Sequence, residues 1–67
     1  MKVSVNKQPV ELSDNSNIVD LLAQIQQEST NGIAIAVNNQ VVRKDNWKEY
    51  QLSENDNILL IKATQGG

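Results

Sequence analysis

The hydrophobic pattern changes period twice along the chain, and this change constrains the fold more than any other feature. Val3 and Val5 alternate with Lys2, Ser4 and Asn6, and Val10 and Leu12 repeat the alternation after Asn6, Lys7 and Gln8. A period of two is the pattern of a half-buried strand, so this stretch predicts a hairpin. Pro9 has no N–H to give to a ladder, which places the second strand at a sheet edge or starts it near this residue. Then Ile18, Leu21, Leu22 and Ile25 recur at i, i+3, i+4 and i+7, the apolar stripe of one helix. Asn17 stands at its N-cap, Asp20 favours the positive end of its dipole, and Asn31 with Gly32 is expected to close it.

The strand period returns at Ile33, Ala34, Ile35, Ala36 and Val37. This run is almost wholly apolar and predicts an interior strand with both faces at least partly covered. Asn38 and Asn39 turn it toward a short strand at Gln40 to Val42. From Arg43 to Glu54 neither period holds, so an irregular crossover is expected, pinned by Trp47, Tyr50 and Leu52. Asn55, Asp56 and Asn57 make a turn, and Ile58 to Ile61 make a fifth, central strand. One helix laid across one face of a mixed sheet of four to five strands buries this pattern economically, so the expected class is α+β. Residues 1–62 form that domain. Residues 63–67 hold nothing large to bury and are expected to be a flexible tail ending in Gly-Gly.

Composition narrows the chemistry. A chain of 67 residues buries only about 60% of its unfolded surface, which disfavours a deep cleft between lobes. With no Cys and no His, the thiolate nucleophile, the commonest general base and the best transition-metal ligands are missing, so no catalytic residue and no metal site are expected. Asp14 to Asn17 and Glu54 to Asn57 cluster oxygen donors without the glycine and distal bidentate Glu of a calcium loop. Asp45 and Glu49 pair two carboxylates but nothing places them in a pocket, and Arg43, Lys44 and Lys62 read as ordinary surface charges. The net charge of −2, one Trp, one Tyr and no Phe argue against nucleic acid as a partner, because both a basic patch and stacking platforms are lacking. No apolar run approaches the roughly 20 residues that cross a bilayer, and the expected setting is the cytoplasm.

Two features remain as candidate sites. Gly66 and Gly67 lack Cβ atoms, so with Gln65 and Thr64 they suit threading into a narrow active site, with the Gly67 carboxylate as the reacting group. The alternative is that terminal glycines are merely tolerated. The second feature is the sheet face away from the helix. If Ile58 and Leu60 face the helix, Leu59 and Ile61 face away, joined by Ala34 and Ala36, and form an apolar docking patch. The alternative is that the crossover through Trp47 and Tyr50 covers part of it.

The segment Asn57 to Ile61 with the tail to Gly66 and Gly67 resembles the end of ubiquitin-like β-grasp proteins, and the whole chain resembles the sulfur carriers of the ThiS family. The residues that carry the likeness are Asn17 to Leu22, Ala36 to Arg43, Trp47, Asp56 to Leu60 and the final glycines. The resemblance implies a β-grasp fold with Pro9 at an edge. It also implies that a ThiF-type enzyme adenylates the Gly67 carboxylate with ATP, that sulfur from a donor enzyme replaces AMP, and that the thiocarboxylate supplies a ThiG-type thiazole synthase in thiamine biosynthesis. On this reading the chain is a carrier and not an enzyme, binds no cofactor itself, and is a monomer when free. The small subunit of molybdopterin synthase and a ubiquitin-like protein modifier are the alternatives within the same fold.

Overall fold

The computed structural model describes residues 1–26 and 32–62. Its first hairpin pairs β1, Lys2–Val5, with β2, Gln8–Glu11, in antiparallel register from Lys2 opposite Glu11 to Val5 opposite Gln8. The loop is only Asn6 and Lys7, both left-handed at φ 51° and 70°. Two successive positive φ values are what a two-residue hairpin loop requires to match strand twist. Gln8, expected in the turn, therefore already belongs to β2. Leu12 falls one residue past β2, yet it is buried and its N–H donates to the Met1 carbonyl at 2.8 Å. Pro9 lies opposite Ser4 on the edge strand, as its missing N–H requires.

The helix α1 spans Ile18–Gln24, with Ile18, Leu21 and Leu22 buried. At its start the Asn17 side chain accepts the Asp20 N–H at 2.7 Å and the Asp20 carboxylate accepts the Asn17 N–H at 3.0 Å, a reciprocal capping box. Its end differs from expectation. Ile25 is the C-cap, and Gln26, not a glycine, takes the left-handed position at φ 60° while its N–H donates to the Ala23 carbonyl at 3.1 Å. The reason is that the apolar stripe is spent at Ile25. Gln26, Gln27 and Glu28 follow it, and a short helix is held by burial more than by propensity. Asn31, the other expected stop residue, lies outside the described residues; Gly32, at φ 72°, immediately precedes the next strand instead.

That strand, β3, is Ile33–Val37, and β4 is Gln40–Val42. Asn38 and Asn39, at φ 52° and 72°, join them in the same two-residue geometry as the first hairpin. A single 3-10 turn, Lys44–Asn46, opens the crossover. The last strand, β5, is Asn57–Lys62, so Asn57 begins the strand instead of ending the turn; Asn55, at φ 69°, does the turning. Among the described residues the strand order is β2-β1-β5-β3-β4, with β5 parallel to β1 and antiparallel to β3. The sheet is therefore mixed, and β5 is its middle strand.

Registers fix the two faces. Val5 and Val37 both lie opposite Ile58, Ile35 lies opposite Leu60 and Val42, and Val3 lies opposite Val10. These residues meet Ile18, Leu21 and Leu22 in one core, completed by Leu12, Trp47 and Leu52. The crossover is tied to the helix end of this core: the Leu52 N–H donates to the Ser16 carbonyl at 2.8 Å and the Asn17 amide to the Lys48 carbonyl at 3.1 Å. No helix among the described residues is long and apolar enough to cross a membrane.

Candidate functional site

The sheet face opposite the helix carries the second sequence-predicted site, and strand alternation builds it. Ala36 lies between Leu59 on β5 and Val41 on β4, and Ala34 lies opposite Ile61. Leu59 and Ile61 are 50% and 47% exposed and Val41 is 71% exposed, the values of side chains with little over them. Ala36 is buried at 6% because it is small and flanked by two larger neighbours. A groove of about 430 Å³ crosses this face. Ala36, Val41, Leu59 and Ile61 form its apolar wall, with Asn39, Asn57 and Lys7 among the polar lining.

The alternative in which the crossover covers this patch does not hold. Trp47 is buried in the helix-side core, where its indole N–H donates to the Val42 carbonyl at 2.9 Å, and Tyr50 packs against that same core. Both aromatic residues of the chain thus serve the opposite layer. Leu59, Ile61, Ala34 and Ala36 come together as the alternation requires. Val41 was not foreseen, although a two-residue turn at Asn38 and Asn39 places Val37 opposite Gln40 and hence Ala36 opposite Val41.

The middle strand is held at two points by asparagine side chains that the hydrophobic pattern does not reveal. At its first residue, the Asn57 N–H donates to the Asn38 side-chain oxygen at 2.9 Å and the Asn57 carbonyl accepts the Asn38 N–H at 2.8 Å. The Asn38 amide nitrogen continues to the Asp56 carboxylate at 3.0 Å, which also accepts the Ser53 N–H at 2.7 Å. Further on, Asn6 takes both backbone groups of Leu60: its amide nitrogen donates to the Leu60 carbonyl at 3.2 Å and its oxygen accepts the Leu60 N–H at 2.8 Å. Asn6 and Asn38 are the first residues of the two hairpin turns. From that position in each turn the carboxamide reaches the backbone of β5.

Thr64, Gln65, Gly66 and Gly67 lie outside the described residues. What the described structure does place is their root: β5 ends at Lys62, on the same strand that presents Leu59 and Ile61. Among the described residues no group of His, Cys, Asp and Glu is arranged to hold a metal ion.

The ThiS family model matches residues 3–67, nearly the whole chain. The chain belongs to the ThiS family. It is 30% identical over 67 residues to the sulfur carrier protein ThiS of Escherichia coli strain K12, covering 100% of both chains. The crystal structure of the thiamine biosynthesis protein ThiS from Geobacter metallireducens superposes with a TM-score of 0.85 at 17% identity, over 100% of both chains. The solution structure of a thiamine biosynthesis protein from the same organism gives 0.74 at 18% identity, over 100% of this chain and 88% of that one. At such identities the two structures establish a shared fold, the ThiS β-grasp. In this ThiS-family chain, the open apolar face and the root of the diglycine segment share one strand.

Proposed function

We propose that the chain is a sulfur carrier in thiamine thiazole biosynthesis, a substrate of other enzymes and not itself a catalyst. The observation that carries this reading is the family match that runs through Gly66 and Gly67. A carboxylate is a poor electrophile until one oxygen becomes a good leaving group. A ThiF-type enzyme would supply that activation by joining the Gly67 carboxylate to the AMP of ATP with loss of pyrophosphate. A sulfur nucleophile from a donor enzyme then displaces AMP, and the thiocarboxylate passes its sulfur to a ThiG-type thiazole synthase. The tether keeps the sulfur from diffusing away.

The chain's own part is docking and presentation. The face built from Leu59, Ile61, Ala34, Ala36 and Val41 seats on the activating enzyme, and residues 63–67 carry the carboxylate from there into the active site. Glycine at positions 66 and 67 leaves no side chain beside the carbonyl under attack. The groove's polar lining suits a surface that must part from one enzyme and bind the next.

Two measurements test the reading. In ATP–pyrophosphate exchange with a ThiF-type enzyme, the intact chain is expected to support exchange, whereas deletion of Gly67 abolishes it and leaves the melting temperature nearly unchanged. Intact-mass analysis of protein from its native cells is expected to show exchange of one oxygen for sulfur. Conjugates to lysine would favour a protein modifier instead, and absence of both products together with normal function of the deletion variant would overturn the carrier reading.

A further inference from the structure

The open face is flanked by positive charge at one of its ends. Lys7 lines the groove together with Ile61, on the β1 side of β5. On the other side, Val42 lies opposite Ile35 and Ile35 opposite Leu60, so Arg43, the next residue, stands level with Ile61. Its backbone is still extended at φ −64° and ψ 146°, and alternation turns its side chain to the side of Val41. The carboxylates stand elsewhere. None of the described residues that line the groove is acidic, and Glu11 and Glu54 lie at the far end, against Lys2 at the start of β1. Asp45 reaches Arg43 at 3.7 Å, but both side chains are exposed, and an ion pair that open to water contributes little.

Lys7 also occupies a backbone position that suits glycine better. It takes the second place of a two-residue turn at φ 70°, where a Cβ crowds the left-handed conformation. Apart from Gln26, every other described residue with positive φ is Asn or Gly. The turn does not account for a lysine there, whereas a charge required beside the groove does. We propose that Lys7 and Arg43 orient the chain on its activating enzyme by pairing with carboxylates at the rim of that enzyme's apolar docking surface. This rests on the sulfur-carrier reading. With a net charge of −2, the chain as a whole is repelled by an acidic surface, and only its cation-flanked end is drawn to one. Charges at the rim of an interface act in this way on encounter and register more than on raw affinity.

The test compares Lys7→Gly, Arg43→Gln and the double variant with Lys48→Gln, which removes one charge from the crossover where it meets the start of the helix. In ATP–pyrophosphate exchange with a ThiF-type enzyme, KM for the chain is expected to rise up to about fivefold for K7G and for R43Q, the worth of one exposed ion pair. The double variant rises further, kcat moves less, and K48Q keeps the wild-type KM. K7G is expected to melt no lower than wild type, because glycine suits the turn, so loss of docking is separated from loss of stability. Raising the ionic strength from about 0.01 to 0.15 M shortens the Debye length from about 30 to 8 Å, and is expected to raise the wild-type KM toward that of the double variant. A wild-type KM in the double variant, or a fall in kcat alone, overturns the inference. An equal rise in K48Q overturns it as well, because net charge and not its placement would then be acting. An unactivated wild-type chain overturns the carrier reading itself, whereas an active wild type whose KM ignores both salt and these substitutions overturns this inference alone. Should K7G melt lower, R43Q at its exposed position decides on the same readouts.

Discussion

Asp56 shows how much a single polar side chain can organise in a domain this small. It is buried at 9% exposure, and its carboxylate accepts from the Ser53 N–H and the Asn38 amide, while its backbone carbonyl accepts the Ser4 N–H at 3.0 Å. One residue therefore joins the end of the crossover, the β3–β4 turn and β1 just before β5 begins. Replacing it with Ala leaves the Ser53 N–H and the Asn38 amide, both partly buried at this contact, without their acceptor, which costs about 1 kcal/mol. Urea denaturation of Asp56→Ala should show that loss, and an unchanged midpoint would mean that solvent replaces both bonds. Among the described residues every buried side-chain nitrogen and oxygen has a partner, as expected for a core with no spare stability.

At the level of elements, α1 is the least self-sufficient piece. Seven residues give a helix roughly 10 Å long, too short to persist alone, so it depends on its cap and its buried stripe. The Asn17 side chain serves both the helix and the crossover, accepting the Asp20 N–H and donating to the Lys48 carbonyl. Asn17→Ala is therefore expected to cost about 1 kcal/mol or more from the cap alone. Asn17→Asp should recover the cap but not the bond to Lys48. Thermal unfolding of the two variants beside the native chain separates these contributions: Asn17→Asp as stable as the native chain would show that the crossover bond contributes nothing, and Asn17→Ala as stable as Asn17→Asp that the cap does not. The cap was legible in the sequence because Asn before an apolar stripe is a local signal. The helix end was not, since Gln26 carries no chemical mark of a left-handed residue.

For the whole molecule, the decisive property is that one face of the sheet is packed into the core and the other is left open. Leu22 lies in the core at 3% exposure, and Leu22→Ala is expected to cost about 2–5 kcal/mol. A chain of this length has about 3–10 kcal/mol in total, so that variant sits near the point of unfolding. Leu59, half exposed on the opposite face, should tolerate Leu59→Ser with a loss under about 1 kcal/mol, because a side chain already in water gives up little burial. The same substitution should weaken binding to a ThiF-type enzyme, measurable by calorimetry. Equal binding by Leu59→Ser and the native chain would remove this face from the docking reading.

The sequence by itself determined the element order, because the change from period two to 3.6 and back is imposed by side-chain geometry and needs no knowledge of partners in space. It also determined the split of β5 into Ile58 and Leu60 on one side and Leu59 and Ile61 on the other, since alternation is a property of any strand. Only the tertiary structure decided that Trp47 belongs to the helix-side core, that Val41 completes the open face, and that Asn6 and Asn38 hold β5. Each of these depends on which distant segments meet. Asn6 and Leu60 are far apart in sequence, and the pattern of a single chain contains no term that couples positions so far apart until the sheet brings them within a hydrogen bond.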